Sequence, residues 1–381
     1  MTAKVYYSHS PGYENCRSSL ESVLLPQIAE LGGVSGKRIM LKPNLLAWRR
    51  ENDIACVHPQ VVLETAKIFL ENGAGSVAIL ENPAVQTAPA ILQSMGILDE
   101  LKSLGVHCAN FVNYRKQETD EQVRFHDLEL ASEYQEYDYV CDICKVKTHA
   151  MMTLTLCVKN LFGLVNGSAR LGWHLAVGRD FEQFADLLID LYLRIKPDFN
   201  IADGVVCMEG NGPGSGTAAE RFFFAGSTDS LALDRSVSEL LGVTDLLIIK
   251  RAEERGICTG FENAGDPPEC LPLVLPDPPG VMMSWGLRLP PVIRDWMRKG
   301  MLSRPVLKES RCIGCGMCEK MCPPHSLKMK GGRPVFHLES CIRCYCCQEH
   351  CPKGAILPRK SVLMKLTEGF ERILRGFFRS K

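Results

Sequence analysis

One cysteine pattern occurs twice in the C-terminal part of the chain and constrains the fold more than any other feature. Each copy has the spacing C-x2-C-x2-C-x3-C-P. The two copies are Cys312, Cys315, Cys318 and Cys322, then Cys341, Cys344, Cys347 and Cys351. Every cysteine of the first copy recurs 29 residues later, as 312 does at 341, and half of the 18 cysteines lie between 312 and 351. Since residues 1–14 do not resemble an export signal, this density predicts metal binding in a reducing compartment rather than disulfides.

The spacing is typical of iron–sulfur ligation. Three closely spaced thiolates wrap one face of a 4Fe–4S cubane, and the fourth ligand comes from the distant cysteine of the other copy. We therefore expect two clusters with crossed ligand sets. The first set is Cys312, Cys315, Cys318 and Cys351, and the second is Cys341, Cys344, Cys347 and Cys322. Zinc is disfavoured, because its sites usually take two cysteine pairs.

Residues 312–352 resemble bacterial-type ferredoxins with two 4Fe–4S clusters. The resemblance implies transfer of single electrons at low potential; a purely structural role for the clusters is the alternative. Cys346 stands directly before Cys347 and departs from the simplest pattern. The 29-residue register selects Cys347 as the ligand, so we expect Cys346 to be a packed free thiol.

The first 270 residues alternate short β-rich runs with helical patterns. Strands are predicted at 4–8, 38–42, 76–81, 106–111, 137–146, 199–202, 222–225 and 246–250, and helices at 16–31 and 59–72. This alternation predicts an α/β fold with a mainly parallel sheet covered by helices on both faces. The pair Cys141 and Cys144 lies in one of these strands, where residues three apart point to opposite faces, so two buried thiols are expected rather than a redox pair.

Composition divides the chain into four parts. An α/β domain is predicted at 1–270, a proline-rich wrapped linker at 271–305, a small α+β ferredoxin-like two-cluster domain at 306–358, and a basic amphipathic helix at 359–381. The helix is expected to dock on the protein itself, with contact of 360–381 with a membrane surface as the less favoured alternative. No run of about 18 uncharged apolar residues is present, so a cytoplasmic protein is expected.

Polar side chains follow several predicted strands, where ligands of open parallel sheets bind. Lys42 and Asn44 follow one strand, Lys147 and His149 a second, and Asp203 a third. Lys159 and Asn160 lie in the stretch 148–165, which has helical spacing of apolar residues. These lysines and asparagines are predicted to bind an anionic substrate, and His149 and Asp203 to transfer protons. The alternative for each residue taken alone is a solvated loop position.

A glycine-rich run follows, and its first residue, Glu209, is the third predicted proton-transfer group. The run 209–216 has the sequence EGNGPGSG, whose backbone N–H groups could cradle an anion. It lacks the Lys-Ser/Thr ending of a P-loop and the glycine spacing of a dinucleotide site. A mobile loop or lid is the equally weighted alternative.

Taken in order, these motifs resemble a known family. KPN at 42–44, KVKTH at 145–149, KNLFG at 159–163 and DGVVCMEGNGPGSG at 203–216, with the double cysteine motif, are similar to the domain of unknown function 362 family, often fused to a ferredoxin module. The resemblance implies this architecture and an iron–sulfur role, without implying a substrate. CDIC at 141–144 departs from the apolar residues expected there.

Two functions follow from the sequence. The first is an iron–sulfur redox enzyme that passes electrons to an anionic substrate or cofactor at the strand ends, supplied by a redox partner protein. The alternative is an electron carrier, or an accessory or assembly protein, whose α/β domain binds a partner without catalysis. The chain has 44 basic residues (Lys and Arg) and 44 acidic residues (Asp and Glu). This balance gives no electrostatic reason to expect binding of nucleic acid. Residues 301–381 nevertheless carry 16 basic and 6 acidic side chains.

Overall fold

The computed structural model describes residues 2–48, 53–83, 86–116, 122–125, 128–167, 169–170, 173, 180–214, 216–257, 260–276, 304–342 and 344–359. Most of the predicted linker, 277–303, and the basic segment 360–381 lie outside the described residues. Among the residues that are described, no helix is long and apolar enough to cross a membrane.

A nine-stranded sheet forms the centre of the N-terminal part. The strands of this part are β1 (Ala3–His9), β2 (Arg38–Pro43), β3 (Ser76–Glu81), β4 (His107–Asn110), β5 (Tyr114–Lys116), β6 (Glu129–Ala131), β7 (Tyr139–His149), β8 (Thr153–Thr155), β9 (Phe199–Glu209), β10 (Thr217–Ser227) and β11 (Phe261–Gly265). The sheet order is β11-β1-β10-β9-β7-β2-β3-β4, β8 pairs with β7, and β5 and β6 form a separate pair.

The middle of the sheet is parallel. The pairs β9–β7, β7–β2, β2–β3 and β3–β4 are all parallel, whereas β10 is antiparallel to both β9 and β1. This arrangement confirms the α/β fold class and the mainly parallel sheet that the sequence predicts.

Helices cover both faces of the sheet. They are α1 (Arg17–Glu30), α2 (Pro59–Glu71), α3 (Ala88–Ser94), α4 (Leu98–Ser103), α5 (Cys157–Asn160), α6 (Phe181–Ile195), α7 (Ser230–Leu240) and α8 (Leu247–Glu254). The first four share an apolar core with Cys141 and Ile143 of β7, and the last four share another with Cys144 and Val146. The two cysteines are fully buried on opposite faces, as the strand spacing predicts.

Two local predictions are wrong. The run 246–250, predicted as a strand, begins helix α8, which buries Ile248, Ile249 and Ala252 on one side. The stretch 148–165, predicted from helical spacing, ends β7, forms β8, and then makes one turn of α5 followed by a 3-10 turn at Leu161–Leu164. In both places the contacts of the folded chain outweigh the local pattern.

Several strands run further than expected, and two of these extensions shape the site. β7 continues to His149 because β8 folds back and pairs with residues 147–149. β9 continues to Glu209 because β10 pairs with it antiparallel up to Thr217. Asp203 therefore lies within a strand rather than after one. The glycine-rich run is the connection between β9 and β10.

The ferredoxin-like part consists of short elements. It contains β12 (Arg304–Leu307), α9 (Met317–Lys320), β13 (Leu327–Lys330), β14 (Arg333–Phe336), α10 (Cys346–Glu349) and β15 (Ile356–Arg359). The first and last strands pair antiparallel, and so do the two middle ones. Pairing of β12 with β15 brings the two ends of this part together, and Cys318, Cys322, Leu327 and Ile356 form its own small core.

Candidate functional site

The strand-end site begins with a buried ion pair. Lys42 at the end of β2 donates from Nζ to Glu81 Oε2 at the end of β3, over 2.7 Å, with both side chains buried. A side chain at Gly163, in the 3-10 turn, would meet the Glu81 carboxylate and Lys42 Nζ, so the ion pair would have to shift to admit it. Glu81 thus neutralises Lys42, a predicted anion ligand.

A chain of hydrogen bonds crosses the sheet beyond the end of β2. Asp142 Oδ1 accepts from Asn160 Nδ2 (2.8 Å), Asn160 Oδ1 accepts from Asn44 Nδ2 (2.7 Å), and Asn44 Oδ1 accepts from Lys147 Nζ (2.8 Å). Lys147 Nζ also donates to the carbonyl of Ala55 (2.7 Å). Three predicted ligands therefore belong to one network, in which the two asparagines join a buried acid to a buried base.

Burial favours the neutral forms of Asp142 and Lys147, the two groups at the ends of this series of hydrogen bonds. It raises the pKa of Asp142 from 3.8 to about 7, against the lowering effect of the Lys42 charge. It lowers the pKa of Lys147 from 10.5 to about 8, with the Cys56 and Glu349 side chains opposing. Both groups thus titrate close to neutral pH, which is uncommon away from functional sites.

Asp203 is the centre of a second polar group. Its carboxylate accepts from Lys145 Nζ (2.9 Å), Tyr13 OH (2.8 Å) and the backbone N–H of His58 (3.1 Å). The Tyr13 ring stacks on the His58 ring at 3.7 Å. Burial lowers the pKa of His58 to about 4, so its imidazole is neutral at pH 7.

Lys159 is placed differently from the other lysines. It is 7% exposed, and its Nζ lies 5.8 and 5.9 Å from the ring centres of Phe162 and Phe184. Burial lowers its pKa, and the nearby Glu349 and Cys346 oppose this effect. Among the described residues no carboxylate forms an ion pair with it. It is a buried cation, and the closeness of Glu349 and Cys346 shows that it faces the ferredoxin-like part.

Two predicted proton-transfer groups make structural contacts of their own. His149 Nδ1 accepts from the backbone N–H groups of Met151 and Met152, which stabilises the turn after β7. Glu209 Oε2 contacts Arg221 (3.4 Å) and accepts from the N–H of Val274 (3.2 Å). The carboxylate of Glu209 therefore holds the first part of the predicted linker, at Val274.

The first cysteine set lines a cavity. A small open cavity is bounded by Cys312, Cys315, Cys318 and Cys351, with apolar walls that include Ile313 and Met329. In the described part of the chain, no three Cys, His, Asp or Glu side chains converge as they would on a single metal ion. Four sulfurs around a mainly apolar cavity are a donor set that fits a thiolate-ligated cluster.

Thiols of the second cysteine set lie near one another. Cys347 lies within electrostatic range of Cys344, Cys341 and Cys322, and more weakly of Cys318. Cys346 is 1% exposed and belongs to the apolar core of the α/β part, as expected of a packed thiol.

The second repeat is docked on the strand-end site. Gln348 of α10 is fully buried, and its Nε2 donates to the carbonyl of Asn211 in the glycine-rich connection over 2.9 Å. Ile342, Cys344 and Cys346 pack into the core that also contains Phe162 and Phe184. Helix α10 therefore carries Cys347 of the second set and brings Glu349 close to Lys147 and Lys159.

Sequence reasoning missed several members of the site. Lys145 and Glu81 were noted at strand ends but given no role, although charged residues that follow apolar strands could have been identified as ion-pair partners. Tyr13 and His58 carry no local signal, because they meet Asp203 across 190 and 145 residues.

The fold and the cysteine sets define an α/β protein joined to a ferredoxin-type module. The chain belongs to the family described as domain of unknown function (DUF362), whose model matches residues 39–239, and a 4Fe-4S dicluster domain matches residues 311–355. The second match supports binding of 4Fe–4S cofactor and iron–sulfur electron transfer.

One curated relative and two solved structures are similar to parts of the chain. A thylakoid-associated protein of Synechocystis is 34% identical over 248 residues, which cover 63% of this chain and 75% of that protein. The lactate racemase apoprotein from Thermoanaerobacterium thermosaccharolyticum is 15% identical with a TM-score of 0.41, over 64% of this chain and 58% of that one. A crystal structure of a Thermotoga maritima protein is 14% identical with a TM-score of 0.30, over 52% of this chain and 51% of that one.

Proposed function

We propose that this chain passes single electrons through two 4Fe–4S clusters to an anionic substrate or cofactor bound at the strand ends of its α/β part. The observation that carries the proposal is the docking of the second repeat on that site. Cys346 and Glu349 of α10 lie beside the buried cation Lys159, and Glu349 is also close to Lys147. A redox module fixed directly against buried cations is suited to exchange electrons with an anion that those cations hold.

In this proposal the cysteine sets are crossed between the repeats. Cys351 joins Cys312, Cys315 and Cys318 around the open cavity, and Cys322 joins Cys341, Cys344 and Cys347. When bound, the clusters supply one-electron transfer. The proline after each fourth cysteine would restrict the backbone there, and the buried neighbours of Cys344 would keep water away from that thiolate.

The strand-end residues would bind the anion and supply a proton. Lys147 and Lys159 donate charge-assisted hydrogen bonds to its oxygens, and Asn44 and Asn160 fix the position of Lys147. Lys147 is the proposed proton donor, since its lowered pKa makes proton release at neutral pH less costly. The proton-transfer roles of His149, Asp203 and Glu209 stay predictions.

Anion binding and cluster spectroscopy test this proposal together. The protein is purified anaerobically, its iron and sulfide are counted, and pyrophosphate and a dicarboxylate are titrated while electron paramagnetic resonance of the reduced protein is recorded. We expect about eight irons per chain and a spectral change on anion binding that Lys147→Met abolishes with iron content unchanged. Lys37→Met, which changes an exposed lysine, is the control. A spectral change that survives in Lys147→Met would contradict the role of the lysine.

The electron-carrier alternative is favoured by one observation. Lys42, Lys147, Asn44 and Asn160 already hydrogen-bond to partners within the protein, and a buried network of this kind is stable without a ligand. If wild-type protein with full iron content binds neither anion, the α/β part is better explained as a platform for a partner protein.

The location of the chain belongs to the same proposal. We propose a cytoplasmic location. The alternative is binding of residues 360–381 to an anionic membrane surface, which the name of the thylakoid-associated Synechocystis relative suggests. Flotation of the full-length protein with vesicles of anionic lipid, compared with neutral vesicles, separates the two.

A further inference from the structure

The two cysteine repeats have the same spacing but opposite surroundings. Ile313 in the first repeat is 60% exposed, whereas Ile342, its counterpart 29 residues later, is 7% exposed. Cys315 is exposed and its counterpart Cys344 is buried. The second repeat uses this face to dock on the α/β part, so the same face of the first repeat remains exposed among the described residues.

The two repeats also differ in charge at equivalent positions. In the second repeat, Glu349 lies near the buried cations Lys147 and Lys159. The equivalent position in the first repeat is Lys320, which is exposed. An acidic group thus meets a basic site inside the molecule, and a basic group takes its place on the outer face.

Basic side chains surround the exposed isoleucine. Arg311 and Lys353 line the same cavity mouth as Ile313 and Cys315. The Arg333 guanidinium donates to the carbonyl of Cys312, the residue before Ile313, over 2.5 Å. All three cations are exposed, and none of them forms an ion pair within the described part of the chain.

We propose that this face is the docking site for an acidic one-electron redox protein. Ile313 would be its apolar anchor, and Arg311, Arg333 and Lys353 would attract carboxylates of the partner and orient it over the first cysteine set. The proposal rests on the proposed function only in requiring electron transfer through the module. Residues 360–381 fit the face less well, because they carry 6 basic and 2 acidic side chains and would be repelled.

Anaerobic stopped-flow kinetics test the proposal on the full chain with its clusters. The probe is the hydroquinone form of a flavodoxin, an acidic protein that becomes a semiquinone as it gives one electron to an oxidised cluster. Bleaching of the cluster absorbance is followed as ionic strength is raised. For wild type we expect a second-order rate constant that falls steeply with salt.

Two variants test the apolar and the charged contributions to docking separately, and a third variant is the control. Ile313→Ser should lower the rate constant about ten-fold, the loss of one desolvated anchor. The triple variant Arg311→Gln, Arg333→Gln, Lys353→Gln should lower it at low salt and flatten the salt dependence. Val112→Ser, which changes a 72% exposed valine of the α/β part, should leave it unchanged. Reduced methyl viologen should reduce wild type and Ile313→Ser at equal rates.

Unchanged flavodoxin rate constants in both variants, with full iron content, would overturn the proposal. A wild-type dimer that dissociates in Ile313→Ser would also overturn it, because the occupant would then be a second copy of the chain. Neither result depends on whether an anion binds at the strand ends. Failure of the proposed function and failure of this docking site are therefore distinguishable.

Discussion

Asp142 has a buried carboxyl group whose Oδ1 accepts a hydrogen bond from Asn160, and by hydrogen-bond geometry Oδ2 has no partner in the described part of the chain. Its folded pKa of about 7 lies above the ordinary 3.8, so the folded protein holds a proton that the unfolded chain has released. Stability therefore falls as pH rises towards 7 and levels off above it. We expect a loss of about 1 kcal/mol between pH 6 and 8.

Replacing the carboxyl group tests this assignment. Asp142→Asn keeps an oxygen that accepts from Asn160 and removes the ionisation, so urea unfolding should lose this part of its dependence on pH between 6 and 8. Asp245→Asn, at an exposed position, should keep the wild-type dependence. If Asp142→Asn and wild type change equally with pH, another group is responsible.

Cys351 is the residue whose substitution tests the crossed assignment of cluster ligands. Its side chain lines the cavity of Cys312, Cys315 and Cys318, although it is closer in sequence to the other set. Cys351→Ser should disturb the first cluster and lower iron and sulfide by up to about half. Cys346→Ser, which changes the packed thiol next to Cys347, should keep both. If Cys351→Ser selectively disturbs the cluster that Cys344 ligates, the crossed assignment of ligands is contradicted.

At the scale of elements, the connection between β9 and β10 joins the two parts of the molecule. Gly212 packs so closely on the backbone of Thr148 that any side chain would collide with its carbonyl, and the neighbouring Asn211 accepts from Gln348. Gly212→Ala should therefore destabilise the protein by about 2 kcal/mol or more, since the backbone has to move.

The same substitution should also loosen the docking of α10. Hydrogen exchange of backbone amides in 344–351 is expected to increase in Gly212→Ala. Gly12→Ala is the control, because nothing lies within 4 Å of its added methyl group. Its stability should change by less than about 0.5 kcal/mol. Equal exchange in the two variants would show that the connection does not hold the helix.

Most of the strands could be predicted from sequence, because buried parallel strands are short apolar runs bounded by turn residues. Their ends could not, since β7 extends to His149 only through pairing with β8. The lysines and asparagines of the site were found because they follow strands. Asp142 was missed because it lies in the middle of an apolar strand, and only its contact with Asn160 from α5 reveals its role.

At the scale of the whole molecule, Lys159 connects the two parts electrostatically. Its ammonium group is buried over two aromatic rings beside Cys346 and Glu349. A nearby cation favours the reduced, more negative form of a cluster, and low dielectric strengthens this effect. The cluster of the second repeat should therefore have a higher potential than it would without Lys159, while the exposed first repeat is screened by solvent.

Potentiometry with electron paramagnetic resonance measures this effect directly. Lys159→Met keeps the apolar stem and should lower the potential of one cluster by tens of millivolts, roughly the value for a single charge at a distance of about 10 Å. The other cluster should change little. Lys328→Met, which removes an exposed lysine paired with Glu319, should shift neither potential by as much. Equal shifts of both clusters, or no shift, would mean that Lys159 does not couple the α/β site to the second repeat, and that its burial serves packing alone.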